Sequence, residues 1–107
     1  MSRKQIPQWF EHMKQNHPHL LEAVDGLGKT VREEGPLDAK TGLLVQVAGA
    51  AAIRSEGSVH SHVRRALEAG IAPDEIFHAV ILLTNTIGFP QVSAAVRWAN
   101  DIVQAQK

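Results

Sequence analysis

The chain has 107 residues, 44% hydrophobic and 21% charged, with eleven Lys+Arg balancing eleven Asp+Glu. That length suits one domain, the composition is too apolar for disorder, and zero net charge supplies no basic field for phosphates or anionic membranes, so neither nucleic acid nor membrane is an expected partner. The absence of cysteine excludes disulfides, thiolate nucleophiles, CxxC redox pairs and Cys-ligated metal centres.

The opening stretch MSRKQIPQWFEHMK has no apolar signal core, and apolar runs fall far short of the ~20 residues a bilayer crossing needs. A cytoplasmic location is expected. Helix-forming residues dominate and Pro and Gly punctuate the chain at regular intervals, which predicts an all-α fold of about six helices in a single domain over 1–107.

The first helix is predicted from Pro7 to Asn16, with Trp9, Phe10 and Met13 as its apolar stripe. The second opens after His17-Pro18 and runs to about Glu34, with Leu20, Leu21, Val24, Leu27 and Val31 at helical spacing. Gly35-Pro36 ends it. Asp38 then N-caps a third helix running to about Ser55, where Ala48-Gly49-Ala50-Ala51-Ala52 permits close packing. Gly57 separates a fourth helix, Ser58 to Ala69, with Ser58 as its cap and Gly70 as a left-handed C′ residue. Pro73-Asp74-Glu75 opens the fifth, and Gly88-Phe89-Pro90 breaks it before a sixth over about Gln91 to Gln106.

The fifth helix, through Ile76, Phe77, Ala79, Val80, Ile81, Leu82 and Leu83, is apolar nearly all round. Such a helix must be covered on every side, and six helices cannot surround one of their own. An obligate homo-oligomer follows.

The densest polar cluster is Arg54-Ser55-Glu56-Gly57-Ser58-Val59-His60-Ser61-His62-Val63-Arg64-Arg65. His60 and His62 diverge by about 200 degrees on a helix and cannot share a metal. A set of His62, His78 and Glu56 is open but nothing in the spacing demands it, so no metal and no cofactor is expected. Ser58 and His62, at i and i+4, share a face and would suit a nucleophile and its base, but no orienting acid or nucleophile elbow accompanies them. Arg64 and Arg65 are expected to pair with Glu68 or with a neighbouring subunit.

The run His62-Val63-Arg64-Arg65-Ala66-Leu67-Glu68-Ala69-Gly70, followed by Ile71-Ala72-Pro73-Asp74-Glu75-Ile76 and by Gly88-Phe89-Pro90, resembles the carboxymuconolactone decarboxylase family, which includes the alkylhydroperoxidase D branch. Leu37-Asp38-Ala39-Lys40 with Leu43-Leu44 matches the preceding helix, so the likeness covers about Leu37 to Val103, after N-terminal helices over 1–36. The resemblance implies an alkylhydroperoxidase D-like helical bundle and assembly with itself as a homotrimer or homohexamer. The peroxidase branch carries E-x-x-C-x-x-C-x-x-x-H. In that register its cysteines fall on Ser55 and Ser58, its glutamate on Ala52 and its histidine on His62.

Serine hydroxyls neither ionise near neutral pH nor form the disulfide of peroxide turnover, so thiol peroxidase activity is chemically closed. The decarboxylase branch needs no CxxC. It implies a lyase acting on a small carboxylated organic acid; side-chain chemistry then makes His62 the expected proton donor, Ser58 and His78 further candidate catalytic residues, and Arg54 with Ser55 the candidates for binding the substrate. His78 would reach His62 across a helix pair or an interface. The alternatives are a non-catalytic, ligand-binding oligomer, a hydrolase or isomerase using Ser58 and His62, and, by family label alone, a peroxiredoxin-type oxidoreductase.

Overall fold

The structure, a computed structural model, describes residues 5–107. The first four residues of the stretch read for a leader lie outside the described residues. Among the described residues seven helical segments follow one another: α1 (Gln5–Asn16), α2 (Pro18–Glu33), α3 (Ala39–Ala52), α4 (Glu56–Glu68), α5 (Pro73–Ile81), α6 (Thr84–Ile87) and α7 (Phe89–Ala105). Six are helices of two turns or more and α6 is a single turn. No helix among the described residues is long and apolar enough to cross a membrane.

The core lies where α4 packs between α3 and α7 and α5 closes against both. Val47, Val59, Val63, Ile76 and Val80 are sealed from solvent there, joined by Ala66, Ala95 and Ala99. The small residues Ala50 and Ala51 are buried on α3 and let its neighbours approach, as their size predicts. The α1–α2 pair lies outside this core, and α2 buries no residue.

Local chemistry accounts for the boundaries. The Asp38 carboxylate accepts from the Thr41 N–H at 2.7 Å and starts α3. Gly70, at φ +87°, ends α4 with the expected pair of bonds: Ile71 N–H to the Ala66 carbonyl and Gly70 N–H to the Leu67 carbonyl, each 3.0 Å. The Glu75 carboxylate accepts from Ala72 N–H and pairs with Lys40, tying the start of α5 to α3.

Two boundaries differ from expectation. The α3–α4 break falls at Arg54-Ser55 rather than Gly57, and the cap of α4 is Ser55, whose Oγ accepts from Ser58 N–H at 3.2 Å. Arg54 takes the left-handed position, φ +59°, and Arg54 and Ser55 N–H return to the Ala51 and Ala50 carbonyls. Arginine pays about 1 kcal/mol there, where glycine would be free. The fifth helix also ends early, at Ile81, where Leu83 N–H turns to the Val80 carbonyl at 3.0 Å and the Thr84 hydroxyl donates to the Ile81 carbonyl at 2.6 Å. Gly88, at φ +92° and ψ 151°, then makes the sharp entry to α7 that only glycine adopts freely.

The described chain measures 39 × 38 × 24 Å, a slab about two helices thick. In it Ile76 and Val80 face inward, while Ile81 and Leu82 are 50% and 63% exposed. A single copy therefore leaves one flank of α5 open.

Candidate functional site

The polar cluster picked out in the sequence forms the α3–α4 junction and the first two turns of α4. The Ser55 and Arg54 backbones are spent on ending one helix and starting the next. The Gln91 amide, with its nitrogen on the Ile87 carbonyl, accepts from Arg54 Nε at 2.7 Å. That contact ties the junction to the start of α7.

His62 follows on α4, half-buried. Its Nδ1 is sealed from solvent and has no hydrogen-bond partner. Buried ring nitrogens are normally satisfied, which sets His62 apart from an ordinary packed histidine. Burial holds its pKa below the usual histidine value, and the positive charges of Arg65 and Arg32 lower it further. Arg65 donates to Ser61 Oγ at 2.9 Å and pairs with Asp25 on α2, not with Glu68. Arg32, also on α2, donates to Gln46 of α3 at 2.9 Å. The guanidiniums that act on His62 thus come from two helices and are fixed by their own partners.

A group whose folded pKa is lowered is neutral in the fold while the unfolded chain takes up a proton. The neutral form is fully present above the unfolded value near 6.5, and its stability is lost progressively as pH falls from there toward the folded pKa. The melting temperature of the wild type is therefore expected to drop more between pH 7.5 and pH 5.5 than that of His62→Gln. Equal drops would show that His62 does not titrate differently in the fold.

The other expected site residues separate. Ser55 and Ser58 line a cleft of about 540 Å³ between α1, α2 and α4, whose apolar wall is Trp9, Phe10, Met13 and Leu21. Arg64 stands 3.9 Å from the Phe10 ring centroid in a cation–π stack. No hydrogen bond joins Ser58 to His62, and His62 lies on the wall of neither this cleft nor the one that holds His78. His78 is exposed in a groove of about 460 Å³ between α3 and α5, with Thr41, Leu44 and Leu82 beside it. One protomer does not bring Arg54, Ser58, His62 and His78 around a common void.

The sequence reading passed over a different constellation. His60 is buried, with its Nε2 3.3 Å from the Asp101 carboxylate on α7 and 3.9 Å from that of Glu56 one turn earlier. The Glu56–His60 spacing, i and i+4, was visible in the sequence. Asp101 is 41 residues away and only the packing of α7 on α4 supplies it.

The Carboxymuconolactone decarboxylase family model matches residues 18–101. This chain belongs to that family. Its fold is similar to the crystal structure of an apo carboxymuconolactone decarboxylase family protein from Legionella pneumophila, with a TM-score of 0.71 at 20% identity, over 97% of this chain and 93% of that one. No curated protein matches the sequence. The match begins at residue 18, so it takes in α2 as well as the stretch from Leu37 onward that carried the resemblance.

Within this carboxymuconolactone decarboxylase family chain the CxxC register falls on Ser55, the cap of α4, and Ser58 in its first turn. A thiolate is unavailable at either position. Peroxide is therefore expected to disappear at the no-enzyme rate in the presence of a dithiol reductant. Faster consumption would mean a peroxidase chemistry that needs no sulfur from this chain.

Proposed function

We propose that this carboxymuconolactone decarboxylase family chain is a carbon–carbon lyase acting on a small carboxylated organic substrate, with His62 as the proton donor, in a homo-oligomer. The observation that carries the reading is the half-buried His62 ring, whose sealed Nδ1 has no partner, within the field of two guanidiniums. Arg65 and Arg32, each held by its own partner, Asp25 or Gln46, supply a positive field at His62 that favours a carboxylate nearby. Arg54, the carboxylate clamp expected from the sequence, likewise has a partner, Gln91.

Decarboxylation breaks the bond to the carboxylate carbon, releases carbon dioxide and leaves the electron pair as an enolate. The enolate carbon then takes its proton from the His62 imidazolium, the form that burial and the two guanidiniums make more acidic, and solvent reprotonates the neutral ring. Fixed cations and a positioned donor are what such a step asks of a protein. Assembly is supported by the open flank of α5 and by the outward apolar seam of α2, Leu20, Val24, Leu27 and Val31.

A second reading, a non-catalytic oligomer that binds an apolar or aromatic ligand, is favoured by one observation. The cleft at Trp9, Phe10, Met13 and Leu21 does not include His62. Incubating the purified chain with a panel of small carboxylated lactones and β-keto acids separates the two. The lyase reading expects carbon dioxide release above the no-enzyme rate from at least one class. Saturable binding without release from any of them would favour the binding oligomer and contradict the lyase.

A further inference from the structure

Glu56, His60 and Asp101 offer three ligand atoms that all lie within 4.8 Å of one another. Two carboxylates converge on one imidazole nitrogen, His60 Nε2, which can donate to only one of them. The nearer, Asp101 Oδ2, stands at 3.3 Å, longer than the usual 2.9–3.0 Å of an N–H···O bond. Glu56 Oε2, at 3.9 Å, is beyond hydrogen-bond reach. A hydrogen bond from His60 to Asp101 accounts for one carboxylate and gives the approach of Glu56 no role.

A metal ion explains it better. Ligand atoms about 2.0–2.1 Å from a tetrahedral ion sit roughly 3.3–3.4 Å apart. The His60–Asp101 separation is already there, and Glu56, on the exposed first turn of α4, closes the remaining gap by a small side-chain movement. We propose that Glu56, His60 and Asp101 form a divalent cation site of the two-carboxylate, one-histidine type. The two carboxylates neutralise the ion. The imidazole selects zinc, cobalt or nickel over magnesium and calcium, which prefer all-oxygen shells.

The site is anchored rather than assembled from loops. Glu56 and His60 stand one turn apart on α4, and Asp101 sits near the end of α7, which packs on α4 through Val59, Val63, Ala95, Ala99 and Ile102. Glu56 and His60 also line the 540 Å³ cleft, beside Ser55, Ser58 and Ser61. Three protein ligands leave a fourth position open, and two of them, Glu56 and His60, line that cleft. The site is therefore accessible to a water molecule or to a small anionic ligand bound there. This assignment is independent of the role proposed for His62.

The test is calorimetric titration of the full chain with Zn²⁺, repeated with Co²⁺ to read coordination from its visible absorption. One equivalent per chain is expected, with the Co²⁺ spectrum of a four- or five-coordinate ion. Asp101→Asn and His60→Gln should each weaken binding at least about tenfold. Both variants should also lose the rise in melting temperature that Zn²⁺ gives the wild type. Asp101 is partly exposed and the asparagine is isosteric, so that variant keeps the fold even if His60→Gln does not. Replacing the exposed His12, His17 and His19 by glutamine should leave the affinity unchanged. Absence of binding, an octahedral Co²⁺ spectrum, or affinity lost with these three histidines and kept in Asp101→Asn would overturn the assignment.

Discussion

In light scattering at micromolar concentration the purified chain is expected to run as a closed multiple of one protomer, and Leu27→Asp with Leu82→Asp is expected to reduce it to single chains. The reason is the orientation of α2. Its outward seam, Leu20, Val24, Leu27 and Val31, follows the 4–3–4 spacing of a helix that packs against another helix. On another side of the helix Asp25 and Arg32 pair with Arg65 and Gln46 of the body, and Leu21 is half-buried at the cleft. Four of the large apolar residues of α2 therefore face outward, against the usual pattern of a surface helix. Covering one leucine contributes about 1.5–3 kcal/mol, so a seam of four and the open end of α5 supply ample driving force. An aspartate in each patch buries an unpaired charge on association. A wild-type monomer would contradict this account of both helices.

In α5 and at its C-cap two substitutions are expected to act in different ways. Ile76 is sealed in the core against α3 and α7, and Ile76→Ala removes packing that its neighbours cannot refill. It should cost about 2–5 kcal/mol and lower the unfolding midpoint at every protein concentration. Leu82 is 63% exposed in the single chain and lines the α3–α5 groove. Leu82→Ala should leave the protomer's packing nearly unchanged and raise the concentration at which the assembly dissociates. Thermal unfolding across a hundredfold range of concentration distinguishes them. Identical concentration dependence for the two variants would mean that the exposed flank of α5 faces water in solution.

Much of this fold is written in local signals. Asp38 as a cap, Gly70 as a left-handed stop, Pro73 in a first turn and Gly88 before Pro90 each act within a few residues of themselves. The seam spacing of α2 is equally local, but the face of α2 that meets the body is not. That depends on Asp25 finding Arg65 and Arg32 finding Gln46. The α3–α4 break illustrates a second limit. Glycine is the expected residue for a left-handed position, so Gly57 drew the boundary that Arg54 in fact occupies. Thr84, whose hydroxyl meets the end of α5, was likewise hidden in an apolar run.

The site divides along the same line. His62 and the serine positions emerge from a register counted along one helix. His78 shares a polar character with them but lies in another groove, because α5 presents it between α3 and α5 rather than toward α4. Asp101 beside His60, and Arg32 near His62, come from helices far along the chain in either direction. Spacing carries no information about such partners, so the charges that shape both histidines become visible only after folding.

The most direct measurement compares carbon dioxide release by the wild type and by His62→Ala on the best substrate of the panel, with melting temperature and light scattering recorded on the same samples. The proton-donor role predicts a loss of about a hundredfold or more in turnover, with the fold and assembly intact. Unchanged turnover in a folded, fully assembled His62→Ala protein would contradict it.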